Sequence, residues 1–191
     1  MTIAFISLAT PLLRGQAIPE KNDPKKHPHS INKTFVDKIE GRPIDFYLNH
    51  KRIDTPAKLF YQGKFAVTDD EETFAFLDSV MTRNPETRSF YQFIFNRVME
   101  LSDGALSEQM SVMCRRYFEK YPCEALANLN TNITKTERDK WIEFIAFDLY
   151  DKKAFDLFAT GVEKQLTKKC SSNKSYWDKV KAGIAAKLEE R

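Results

Sequence analysis

Three charged side chains fall where amphipathic helices are predicted and have the types to do chemistry. Asp148 lies on the same helical side as Trp141 and Ile145, with Glu143 between them, and Arg97 sits beside Phe90, Ile94 and Leu101. A carboxyl on an apolar face can hold a raised pKa and serve as general acid or base, with an arginine as substrate clamp or oxyanion partner. Asp148, Glu143 and Arg97 are therefore the catalytic candidates. The same placement also serves an ion pair holding two helices in register. Pairing is the default for a charge removed from water, so the structural reading is preferred. The acidic run Asp69–Glu72 opens a helix, where negative charge suits the dipole, and its spacing is not that of a calcium loop.

Other reactive residues are few. His27 and His29 flank Pro28 and could supply half of a copper or zinc site, but a solvated linker is the simpler reading, and no metal is assigned. Cys114 shares an apolar face with Met110, Met113 and Tyr117, which predicts a buried, inert thiol. Cys123 and Cys170 both fall at helix ends, so in an oxidising compartment these two are predicted to pair. Cys114 and Cys123 are the harder pair, because seven residues of helix separate Cα atoms by ~10 Å. In a reducing compartment all three stay thiols. The six glycines form neither G-x-G-x-x-G nor G-x-x-x-x-G-K, and no cofactor is expected. Sequons at Asn32, Asn132 and Asn173 matter only in a eukaryotic secretory route.

The elements that must position these groups read as helices from about residue 68 onward. Thr68-x-x-Glu71 and Thr134-x-x-Glu137 are capping boxes. Asn84-Pro85 ends one helix and starts the next, whose apolar residues point in nearly all directions and so demand a central position. Leu106, Met110, Met113, Cys114, Tyr117 and Phe118 follow with three-four spacing until Pro122. A short helix covers Cys123–Leu129, Asp151 restarts the chain, and Trp177, Val180, Ile184 and Leu188 line a last helix. Ile31, Phe35, Val36 and Ile39 predict a helix stopped by Gly41-Arg42-Pro43. Residues 44–52 read as strand or helix, and no strong hairpin signal occurs. The expectation is an all-α, irregular bundle of about seven or eight short helices. The loose recurrence of helix pairs near residues 69, 103 and 135 keeps an α-solenoid-like stack of hairpins as the alternative.

The chain of 191 residues has room for one ordinary domain. Ile3–Leu13 is an apolar stretch followed by Gly15-Gln16-Ala17, which matches the core and small-residue cleavage site of a secretory signal. The basic region before the core is missing, and the rival reading makes this segment the first element of the fold. The expected division is a signal peptide over 1–17, a Pro- and charge-rich linker over 18–30, and one helical domain over 31–191. That predicts an exported protein, periplasmic or secreted, with cytoplasmic residence as the alternative. No stretch approaches the ~20 apolar residues of a membrane span.

Charge is uneven along the chain. Residues 68–163 hold eleven Lys/Arg against eighteen Asp/Glu, while residues 164–191 hold eight against three. Basic ends could recruit an anionic partner or pack against the acidic middle. A pI of 8.6 and aromatics that follow core spacing argue against nucleic acid. The expected function is a non-catalytic protein-binding module of the cell envelope or extracellular space, with an immunity or inhibitor role among the options. Its partner would be another protein, engaged by a groove between helices or by the acidic face. Two rivals stand: an unfamiliar enzyme pairing a buried carboxylate with an arginine, and a hydrophobic-ligand carrier lined by some of the fifteen phenylalanines.

Overall fold

A computed structural model describes residues 36–191. The predicted signal peptide, the linker and the His27/His29 pair lie outside the described residues. A two-strand ribbon, β1 (Lys38–Ile39) and β2 (Arg42–Pro43), leads into α1 (Ile44–Leu48) and α2 (Thr55–Tyr61). After α3 (Glu71–Asp78) and a 3-10 turn come α4 (Pro85–Leu101), α5 (Gly104–Lys120) and α6 (Pro122–Thr131). Next follow α7 (Lys135–Leu149), α8 (Lys152–Lys169), a second 3-10 turn and α9 (Lys174–Glu189). The fold is all-α, an irregular bundle with nine α-helices among the described residues. Residues 44–48 resolve as helix.

Local chemistry explains most of the boundaries. Asn84 Oδ1 accepts from the Glu86 amide at 3.1 Å, with Pro85 at the first helical position. The Thr134 box forms reciprocally: the Glu137 amide donates to Thr134 Oγ1 at 3.2 Å, and the Thr134 amide donates to Glu137 Oε2 at 2.7 Å. Asp151 caps α8 through the Ala154 amide at 2.7 Å.

Two expectations are corrected. Asp70, not Thr68, caps α3 by accepting from the Thr73 amide at 2.7 Å, while the Thr68 hydroxyl donates to the same carboxylate. A carboxylate one residue from the helix outcompetes a hydroxyl three away. The helix predicted up to Gly41 is instead, over the described residues, an antiparallel ribbon pairing Ile39 with Arg42. Glu40 and Gly41 both take positive φ, 49° and 78°, the backbone of a two-residue hairpin turn. A glycine ready for positive φ marks a helix end and such a turn equally well, so periodicity alone could not separate them.

Packing centres on α7, which lies between α5 and α9 and also touches α4 and α8. Trp141 on α7 meets Phe95 of α4 and Tyr117 and Phe118 of α5 at centroid distances of 5.5, 5.9 and 6.2 Å. Its indole N–H donates to Asn96 Oδ1 at 2.8 Å, which satisfies a polar atom deep in the core. Trp177 on α9 repeats the pattern against Phe118 and Phe158. Phe95, Phe118 and Phe158 thus interlock with the two indoles.

Buried phenols give the fold an alkaline limit. Burial pushes Tyr61 and Tyr91 up to about 12. Tyr91 donates to the Arg52 carbonyl at 3.2 Å and accepts from the Asp54 amide at 3.0 Å, ties that hold the α1–α2 turn to α4. An unfolded phenol titrates near ~10, so this stabilisation is whole below that pH and drains away as pH climbs toward 12. Thermal melts should therefore hold steady up to about pH 10 and fall steeply above it, with the Tyr61 and Tyr91 phenolates appearing only as the fold is lost. Titration of Tyr61 or Tyr91 near pH 10 while the protein stays folded would contradict the packing.

Candidate functional site

Where α7 turns into α8, three large apolar side chains stand in solvent: Phe147 at 49% exposure, Leu157 at 69% and Tyr150 at 75%. The turn is tight. Asp151 must cap α8 immediately after α7 ends, and this forces Tyr150 into the left-handed region at φ 39°. Glycine or asparagine normally fills that position, because a Cβ there costs ~1–2 kcal/mol. An exposed aromatic gains no burial to offset the strain.

Beside the turn, α5, α7 and α8 border a groove of about 490 Å³. Tyr150 and Leu157 form part of its rim, and Gly161 lies along its α8 wall. A Cβ built on Gly161 meets nothing within 4 Å, so neighbours do not require the glycine. In a helix interior glycine is worse than alanine by ~0.5–1 kcal/mol. Two locally unfavourable residues thus border one groove.

The polar side of the groove is an ion-pair network. Arg115 Nε donates to Asp148, and Arg115 Nη1 reaches Glu119 at 2.8 Å. Burial pulls the Arg115 guanidinium down, but its hydrogen bonds to Asp148 and Glu119 outweigh this and raise it. It stays a fixed positive charge. Asp148 is therefore engaged as an acceptor that ties α7 to α5, an arrangement suited to a rigid wall.

Chain comparison adds no relative. No family model, curated protein or solved structure matches the chain. Function must rest on the geometry.

The three catalytic candidates do not converge. Asp148 belongs to the groove, whereas Arg97 reaches across to α7 near its start, with Nη1 at 3.1 Å from Glu137 Oε1 and 3.5 Å from Glu100. Glu143 is exposed on α7. Helical phase placed Arg97 and Asp148 on inward faces, but each found a partner that periodicity cannot name. Cys123 and Cys170 are joined, with Cα atoms 6.0 Å apart, while Cys114 is buried and burial pushes its thiol well above the ordinary value. Among the described residues, no group of three or more His, Cys, Asp or Glu is placed to hold a metal ion, and no helix is long and apolar enough to cross a membrane. Sequence reading passed over Leu157 and Tyr150. The available signal was Leu157 standing off the Phe155–Phe158–Val162 stripe, with small Ala154 and Gly161 as its neighbours on its own side.

Proposed function

We propose that the chain is an exported, non-catalytic protein-binding module whose docking surface is the groove at the α7–α8 turn. The observation that carries this reading is Tyr150, a strained aromatic displayed to solvent where glycine would be cheaper. Backbone strain of this kind concentrates at sites that recognise something. Leu157 extends the apolar rim, and the open notch above Gly161 suits an apolar side chain entering from a partner. Aromatic anchors with a charged margin are the usual make-up of such surfaces. The partner chemistry is a protein segment with an apolar anchor for the notch and a basic group for the outer face of Glu119. Support for export comes from the Cys123–Cys170 disulfide, which belongs in an oxidising compartment, and from the signal-like Ile3–Leu13 stretch.

The test separates stability from binding. Tyr150→Gly should raise stability by about 0.5–1 kcal/mol, because the left-handed penalty exceeds the added chain entropy of glycine. The same variant, and Leu157→Asp, should lose a protein that the wild type captures from the host envelope or secreted fraction. A control change at exposed Lys179 should keep it. Identical capture by all four proteins would sink the proposal, as would a Tyr150→Gly variant less stable than the parent.

A further inference from the structure

A second concavity, remote in character from the α7–α8 groove, lies between α4, α6 and the β1–β2 ribbon. Its volume is about 210 Å³, and its lining is unusually rich in carboxamides: Gln92 and Asn96 from α4, Asn128 from α6 and Asn132 just past its end. Gln92 and Asn128 are only 6% and 7% exposed, yet Gln92 Nε2 and Asn128 Nδ2 donate to nothing. Arg97 Nε is likewise buried and without an acceptor. Asn96 gives its carbonyl oxygen to the Trp141 indole, so its amide group is what remains for the cleft. Native proteins rarely leave buried donors unpaired, and several around one cleft call for an acceptor-rich occupant.

The charges decide which kind. Arg97 is matched by Glu137 and Glu100, and Lys38 and Glu40 offset each other at the ribbon. The cleft has many donors but no surplus positive charge to hold an anion. Carboxamides and a guanidinium instead suit hydroxyls, which accept and donate, together with a ring oxygen, which accepts. Phe93, with the Arg97 guanidinium 5.1 Å from its ring centroid, adds a flat apolar face. The space equals roughly seven waters, enough for one small ring and too short for a strand of polypeptide.

We propose that this cleft is a binding site for a neutral, hydroxyl-rich molecule the size of one sugar ring, with Gln92, Asn96, Asn128 and Arg97 as its hydrogen-bonding residues. It stands independently of the α7–α8 groove.

The experiment titrates isotope-labelled full-length protein with glucose, galactose, mannose and N-acetylglucosamine, following the side-chain NH₂ resonances of Gln92 and Asn128. Sodium acetate and glycylglycine serve as anion and peptide probes. At least one sugar should shift both resonances saturably, and Gln92→Met or Asn128→Leu should each weaken that binding by about tenfold, as expected for one lost hydrogen bond. Because each change replaces an unsatisfied buried amide with an apolar group of similar shape, Tm should hold or rise. Should either variant fail to fold, Asn132→Ala at the exposed edge provides the binding arm, with a smaller loss expected. The proposal is overturned if no sugar shifts the resonances, which would leave a water-filled cleft. Shifts with acetate or glycylglycine alone would overturn it too, by assigning the cleft to an anion or a peptide.

Discussion

Replacing Cys123 and Cys170 together by alanine should lower the unfolding free energy by about 4 kcal/mol, the loop-entropy value for a bridge spanning 47 residues. The bridge ties the start of α6 to the end of α8, so the loop it closes contains all of α7, the helix packed most extensively against its neighbours. Freeing that loop enlarges the unfolded ensemble without removing a core side chain. Urea unfolding of the oxidised wild type, the reduced wild type and the double variant measures the effect. The last two should coincide, with midpoints well below the first. Cys114, fully buried, should stay unreactive toward alkylating reagents until the chain unfolds. A reduced wild type as stable as the oxidised protein would show that the bridge contributes nothing. Intact mass of protein from the native host, with and without reductant, would report both the bridge and any loss of residues 1–17.

Arg97→Met should destabilise the fold by about 3–5 kcal/mol, because it strands Glu137 in the interior. The Glu137 side chain is only 2% exposed, and its Oε1 lies 3.1 Å from Arg97 Nη1. Its other oxygen accepts from the Thr134 amide and so holds the start of α7. The carboxylate is thus committed twice, to a charge on α4 and to its own helix cap. Adding Glu137→Gln to Arg97→Met should recover much of the loss, since the amide keeps an acceptor for the cap while removing the stranded charge. Chemical denaturation of the two single variants and the double variant completes the cycle. A fully stable Arg97→Met would reopen Arg97 as a residue kept for chemistry. The Arg115–Asp148 pair is more exposed, with side chains at 28% and 15%, so Arg115→Met should be the milder change.

These outcomes bear on the two proposed surfaces differently. The α7–α8 groove is built on strain and exposure, features that lower stability and that the proposed partner would account for. The carboxamide cleft is built on unsatisfied donors inside the fold. In both, the informative variants are those expected to bind worse while folding as well or better, a combination that a purely structural residue cannot produce.

The amino-acid sequence by itself determined the helical class, most helix starts and the inward faces. Capping groups and three-four spacing act within a turn or two of chain, as Asn84-Pro85, the Thr134 box and Asp151 show. It also left Cys123 and Cys170 as the two cysteines free to meet at helix ends. Only tertiary structure decided which distant partners those faces met. Arg97 went to Glu137 and Asp148 to Arg115, choices set by helix order and crossing geometry that no local pattern encodes. Tyr150 looks in sequence like one more apolar residue at a helix end. Its exposure and left-handed backbone follow from the abrupt start of α8. Gln92 and Asn128, ordinary polar residues by spacing, acquire meaning because α4 and α6 bring their amides to the same cleft. Local free energies choose the elements; burial, pairing and strain between elements choose the sites.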